Sequence, residues 1–474
     1  MTVDSLPVDA EPFGLTSSKY HQNSSFLHPG SKYHDVKISV NHWQLRDLVC
    51  KNSLVQDQVF YPTSEDINAL DLETGHTQRH GSFEFAPRCI KELDGIFVAG
   101  GVQNSGGPMG TSRGQFGIMV SETGVTQNLG VGSLINNCVS IDKQSNAKYV
   151  SLICNNDQYL YWADITPSGA VTTDMSANLG IPLNHASLSP DQKTIVACGD
   201  NSDFFVLHPE ELHTGARQQI CTTFDNGFST SFHPNGLVFA TTFQEGVALV
   251  YDIRNISQPI HTVWSTRRNA QNGAFRCCKF AGGTDDLLFI SEHVGRVHMV
   301  DTRDFANHQV IMLPQLLRGS SPLSQQGKDV YNESLIRPFG EVVADFNHYT
   351  RQTDDFGPSR SRWGARHSIL NQEQRVNRLI TVRLPPRAQQ QDPGRYRTLA
   401  QSQSQTAPDQ REPFSHITDR NPNAFFELCD TELSGLEWLE TRRGSSLAIG
   451  CSKGVIKWDI ACWGRKCFPS FGVC

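Results

Sequence analysis

The sequence predicts an all-β protein: a seven-bladed WD40-like β-propeller with a long insertion before its last blade. Three observations carry that expectation. A strand–turn–strand unit recurs at near-constant spacing, several third strands end on an aromatic–Asp pair, and one low-complexity stretch interrupts the period once.

The template is clearest at Ser231-Phe232-His233-Pro234-Asn235-Gly236-Leu237-Val238-Phe239-Ala240, which reads strand, tight turn, strand. Gly246 to Arg254 follows as a third strand carrying Tyr251-Asp252. Upstream, Leu188-Ser189-Pro190-Asp191, Thr194–Ala197 and Asp203–His208 repeat the unit; downstream, Cys278–Phe280, Leu287–Ile290 and Gly295–Asp301 do so. Gly435–Trp438, Ser446–Gly450 and Gly454–Ile460 make the last copy, and three weaker copies fill the first third of the chain. The third strands end near positions 71, 121, 164, 208, 252, 301 and 459, in steps of 50, 43, 44, 44, 49 and 158 residues. Most steps lie at or just above the ~40–45 residues of a WD40 blade, and the final one equals a blade plus roughly 110 residues. A four-stranded blade has two apolar faces and cannot bury both alone; closing a ring of blades buries each against a neighbour. A pair of sandwiches or a barrel also uses short strands, but the fixed spacing and the aromatic–Asp pairs favour the ring.

The period divides the chain into a flexible N-terminus (1–34), six blades (35–309), an Arg/Gln-rich insertion (310–430), and the last blade with a C-terminal tail (431–474). Between Arg351 and Arg411 there are eleven Arg, no Lys and five acids, beside runs such as Gln401-Ser402-Gln403-Ser404-Gln405. Such a segment buries too little to offset its ordering entropy, so a disordered loop is expected. Arg378-Leu379-Ile380-Thr381-Val382 within it is apolar enough to dock back or to bind a partner. Two strands compete to close the ring: Val36-Lys37-Ile38-Ser39-Val40, with its period-2 alternation, and Arg465-Lys466-Cys467-Phe468.

Composition narrows the function. Hydrophobic residues make up 38% and charged residues 19% of 474, and the formal net charge of −7 excludes a general nucleic-acid binder. No apolar run reaches the ~18–20 residues of a membrane span, and Met1-Thr2-Val3-Asp4-Ser5 lacks signal-peptide character. Thirteen Cys without CxxC spacing, with Cys277 and Cys278 on opposite strand faces, read as buried thiols of a reducing compartment rather than zinc ligands or disulfides. A cytoplasmic address follows, with the nucleus open.

No catalytic, metal or cofactor site is expected. The glycines between Gly100 and Gly110 lack the Lys-Ser/Thr of a phosphate loop and lie between strands. His76 and His80 stand four apart where no helix is expected. No Gly-x-Ser-x-Gly elbow occurs, so the default is a binding scaffold rather than an enzyme. Arg residues interleaved with Trp363 and Tyr396 keep an RNA-associated alternative open, although such inserts usually serve as solvated linkers.

Two segments taken together resemble a known family. They are His42-Trp43-Gln44-Leu45-Arg46-Asp47-Leu48-Val49 at the first blade and Ser434–Trp438 through Gly450–Ile460 to Gly464-Arg465-Lys466-Cys467-Phe468 at the last. They resemble a fungal family of WD40-like propellers whose C-terminal blade is catalogued as a domain of unknown function. A member of it is similar to the substrate receptor of the GID (CTLH) E3 ubiquitin ligase that recognises proteins beginning with threonine. The resemblance implies a substrate receptor with two kinds of partner, the ligase scaffold and substrate N-termini. It further implies docking through the C-terminal end, where Phe471, Val473 and Cys474 form an apolar terminus past the last plausible strand. Cys462-Trp463 makes the preceding stretch more apolar than the family's basic pattern. A general protein-interaction scaffold remains the alternative.

Overall fold

Seven antiparallel sheets follow one another along the chain, and each is one blade. The computed structural model describes residues 26–103, 113–265, 272–313, 376–381 and 432–461, apart from single positions at 43, 284, 304, 306, 443 and 453. Blade 1 consists of Cys50–Lys51, Gln58–Thr63, Asp66–Asp71 and Thr77–Ser82. The inner strands of blades 2 to 7 are Cys89–Leu93, Asn136–Val139, Leu183–Leu188, Gly227–Phe232, Phe275–Phe280 and Leu433–Thr441. These inner strands touch in a closed cycle, blade 7 returning to blade 1. The third strands end at Asp71, Val120, Ile165, Leu207, Asp252, Asp301 and Ile460, within one residue of the positions read from the repeat.

The period-2 pleat explains why the blades stack. In the second strand of blade 3, Val150, Leu152 and Cys154 pack toward Leu188, Ala197 and Phe205 of blade 4, whereas Tyr149 and Ile153 pack toward Val98 and Ile118 of blade 2. Seven apolar clusters result, one at each seam between neighbouring blades. Of the nine cysteines among the described residues all are free thiols, and only Cys221 is exposed, contrary to its expected burial.

The ring is closed from the N-terminus, but not by Val36–Val40. Leu27–His34 pairs antiparallel with the third strand of blade 7, Gly454–Ile460, so the ordered ring begins before residue 35. Phe26 and Leu27 are buried in the seam with blade 6, and a Cβ at Gly454 would run into the His34 carbonyl. The Pro29-Gly30 pair and the slip in register between Leu27 and Ser31 hide this strand from any alternation pattern. Ile38 is buried and Val36 and Val40 are half-buried because that stretch crosses from blade 7 to blade 1 over their shared core. Arg465–Phe468 lies outside the described residues.

Blade 6 runs to Met312 rather than ending at 309, and it has a fifth strand. Val376–Thr381 from the insertion pairs parallel with His308–Met312, so the stretch expected to dock back does so. The remainder of 314–431 lies outside the described residues.

Candidate functional site on the ring axis

The inner strands of blades 3 to 7 share a local defect at their start. Their register slips by one residue opposite the second strand, leaving Asn137, Asn184, Phe228, Arg276 and Ser434 as the extra residue of a β-bulge. Blade 2 has the same two-against-one arrangement: Cys89 pairs with Gly100, and the Arg88 N–H also reaches the Gly100 carbonyl, at 2.8 Å. A bulge turns its side chain out of the ladder, and the repeat places these side chains around one mouth of the ring.

In blades 3 and 4 the bulge residue ties its blade to the next. Asn137 Nδ2 donates to the Leu183 carbonyl at 2.9 Å, and Asn184 Nδ2 donates to the Gly227 carbonyl at 2.9 Å. Each acceptor is the residue just before the following bulge. At blade 5 the tie is lost because Phe228 has no donor. The Arg276 guanidinium instead lies 4.3 Å from the Phe228 ring centroid, a cation–π contact. Arg276 is 3% exposed and donates through Nη1 to Gln244 Oε1 at 2.8 Å, while its Nε is buried without a partner.

Arg276 sits in a cationic arc. Arg46, 3% exposed, donates to the His42 and Leu45 carbonyls and lies 3.9 Å from Glu432. Asn41 Nδ2 donates to the Pro87 carbonyl at 3.1 Å, bringing this segment against half-buried Arg88. Burial, then Arg88, Arg46 and Arg276, pushes the His42 imidazole down to about 4. Neutral His42 accordingly accepts from the Gln44 and Leu45 N–H groups at 3.0 and 2.9 Å. Burial and the Arg46 charge push Arg276 down to about 9. Among the described residues, no carboxylate forms an ion pair with Arg276 or Arg88.

Further along the inner strands, charges from across the ring converge on the axis. Asp47 pairs with Lys91 of blade 2, lies 3.5 Å from Lys279 of blade 6 and 3.9 Å from His185 of blade 4. Lys279 also contacts Glu437 of blade 7 at 2.6 Å, and His185 Nδ1 lies 3.0 Å from Thr230 of blade 5. Burial alone would raise the Asp47 carboxyl, but Lys279, Lys91 and His185 hold it well below its ordinary value. Burial opposes charge on His185 as well, yet Cys138 and Asp47 lift it to about 9. These groups form a compensated ionic plug, costly to desolvate and costlier to break one partner at a time.

A second polar cluster resembles a relay but is sealed. His298 lies 2.8 Å from His308 and 2.9 Å from Glu292, which accepts from Ser265 Oγ at 2.7 Å. His298 and Glu292 are fully buried, so the cluster ties blade 6 to blade 5 rather than meeting a substrate. His80, singled out with His76 in the sequence, packs against Phe60 and Phe97, with Nε2 2.9 Å from Ser121 Oγ; His76 lies exposed in the turn before that strand. Gly100 and Gly101 continue a strand, and 104–112 lies outside the described residues. Phe471, Val473 and Cys474 also lie outside them. Sequence reading missed Arg46, Arg88 and Arg276; the signal available was that Arg88 and Arg276 both fall at the start of an inner strand.

Strand order and the seven seams define the class: a seven-bladed β-propeller, WD40-like, consistent with a protein-interaction scaffold. Among the described residues no helix is long and apolar enough to cross a membrane. A family model described as an uncharacterised protein domain, DUF2415, matches residues 273–312. That span is blade 6, not the C-terminal blade that the resemblance pointed to. An uncharacterized protein of Saccharomyces cerevisiae is 30% identical over 420 residues, covering 64% of this chain and 57% of the relative, so the chain spans little more than half of that protein. An uncharacterized protein of Schizosaccharomyces pombe is 26% identical over 304 residues, covering 62% of this chain and 83% of the relative. Among solved structures, a chain from the crystal structure of the mitotic checkpoint complex is similar at 9% identity and a TM-score of 0.46, covering 63% of this chain and 83% of that one.

Proposed function

We propose that the protein is a non-enzymatic propeller that captures partner proteins at the mouth of its ring. In the finer form of this reading it is a substrate receptor of a GID/CTLH-type ubiquitin ligase, working in the cytoplasm and open to the nucleus. The observation that carries the protein-binding reading is the cationic arc: Arg276, Arg46 and Arg88 all bear on His42, and the buried Arg276 keeps an unpartnered Nε beyond its contacts with Gln244 and Phe228 of blade 5. A buried cationic donor that the surrounding protein leaves unmet fits a ligand-facing role.

The ligase reading draws its support from the two segments that resemble the receptor family. They meet in space: the Leu48 N–H donates to the Ser434 carbonyl at 2.9 Å, and Asp47 and Glu437 share Lys279. The segments therefore form one unit beside the mouth. Purification of the tagged full chain followed by identification of bound proteins tests the reading. Ligase scaffold subunits, lost when residues 470–474 are removed while the melting temperature stays unchanged, are the expected result. Ribonucleoproteins in their place would favour an RNA-associated scaffold, and recovery of no protein would overturn the binding role.

A further inference from the structure

We propose that the arc of Arg276, Arg46 and Arg88 is a docking site for a carboxylate-bearing peptide segment of a partner protein. This deepens, and rests on, the protein-binding reading above. In blades 3 and 4 the bulge residue, Asn137 or Asn184, donates to a carbonyl of the next blade. Arg276 stands at the same position and has more donors, but among the described residues its side chain makes one hydrogen bond, back to Gln244 of blade 5. Its buried Nε has no partner. A buried guanidinium left in this state is costly unless an anion completes it.

The surroundings select the chemistry. Phe228 supplies an apolar floor under Arg276, and Gln244 holds one edge of the guanidinium. Half-buried Arg88 and neutral His42 mark the rim, while Arg46 and Arg276 lie deeper. A planar carboxylate takes two parallel N–H bonds from such a fork, and the rim cation steers it inward. A nucleic-acid backbone needs a row of exposed cations along its path, whereas Arg46 and Arg276 are buried and Arg88 is half-buried, in a chain of net charge −7. An N-terminal ammonium is repelled here, so a captured chain would present an Asp or Glu side chain to the arc.

The test uses the full chain and a fluorescein-labelled hexaglutamate peptide, read by polarisation at low salt, with hexaglutamine and a single-stranded RNA oligomer as rival probes. Hexaglutamate binding that weakens about tenfold or more in Arg276→Gln and in Arg88→Gln, with melting temperatures kept, is the expected result. Arg88→Gln provides the second variant because its side chain is only half-buried and pairs with no acid. Equal binding by wild type and both variants, no hexaglutamate binding at all, or RNA binding that depends on Arg276 would each overturn the inference. Partner recovery in the purification above is measured separately. Partners that still copurify with Arg276→Gln would sink the arc while leaving the protein-binding reading standing.

Discussion

Two arcs of the same ring solve the same problem differently. From blade 2 to blade 5 the inner region is stitched by asparagine amides that donate to a neighbouring blade's backbone: Asn136 of blade 3 reaches back to Gln115 of blade 2, while Asn137 reaches forward to Leu183 and Asn184 to Gly227. From blade 5 through blades 6, 7 and 2 the bulge positions carry Phe228, Arg276, Ser434 and Arg88, and Arg46 lies on the segment leading into the inner strand of blade 1. The first arc spends its amide donors on backbone carbonyls; the second concentrates positive charge, with the Arg276 Nε left unmet. Blades are interchangeable units of packing, since each seam has its own apolar cluster, so the polar mouth is free to differ. Under the proposed docking role, what holds the ring and what faces a ligand are separable even among equivalent bulge positions such as Asn184 and Arg276.

Both arcs presuppose a closed ring, and opening it is the largest perturbation. Removing residues 1–34 strips the outer strand from blade 7, exposes the seam around Phe26 and Leu27, and deletes the Lys32–Glu73 ion pair. The melting temperature should fall by more than ~10 °C, given that ~1 kcal/mol moves a mid-sized domain by about 2–4 °C. An unchanged melting temperature would move closure to the C-terminal stretch beyond residue 461.

Asn184→Ala should break one stitch of the neutral arc. Asn184 is 4% exposed and donates to both Asp200 Oδ1, at 2.8 Å, and the Gly227 carbonyl, at 2.9 Å. Leaving both acceptors unmet costs about 2–3 kcal/mol, readable as a shifted urea midpoint. Partner binding should persist.

The axial plug gives a pH signature that separates it from both arcs. Folding raises His185 from its usual ~6.5 to about 9, so its stabilisation is complete below pH 6.5 and is lost as pH climbs through 9. The loss amounts to about 3 kcal/mol at most. Stability of the wild type should therefore decline more steeply between pH 6.5 and 9 than that of His185→Gln. Parallel curves would show that the imidazole carries no charge there. Asp47, held low, acts in the opposite sense: its contribution is present above pH ~4 and disappears in acid.

The smallest effect on stability is expected at Arg276. Gln at that position retains a polar group beside Gln244 and removes a buried, unpaired charge, so the change stays within about 1 kcal/mol in either direction.

How far the sequence reaches differs between these parts. The ring and its insertion were legible because third-strand ends such as Tyr251-Asp252 and Val300-Asp301 recur with the blade period. The closing strand was not, since Leu27–His34 contains Pro-Gly and a register slip where alternation would be sought. Val36–Val40 had the alternation yet belongs to a crossing segment, because a buried linker over a seam shows the same periodicity as a strand. The axial plug escaped because Asp47, Lys91, His185, Lys279 and Glu437 are single charges in separate repeats, joined only by ring closure. The arginine arc escaped for the same reason, and because a bulge displaces its residue from the aligned pattern.

The central claim is that equivalent bulge positions have divided between holding the ring and receiving a ligand. It is tested most directly by measuring melting temperature and hexaglutamate affinity side by side for Asn184→Ala and Arg276→Gln. The account predicts a crossed result: Asn184→Ala melts several degrees lower and binds as wild type, whereas Arg276→Gln melts as wild type and loses binding. If Arg276→Gln is destabilised as much as Asn184→Ala, or if its affinity is unchanged, the two arcs do the same work and the account is wrong.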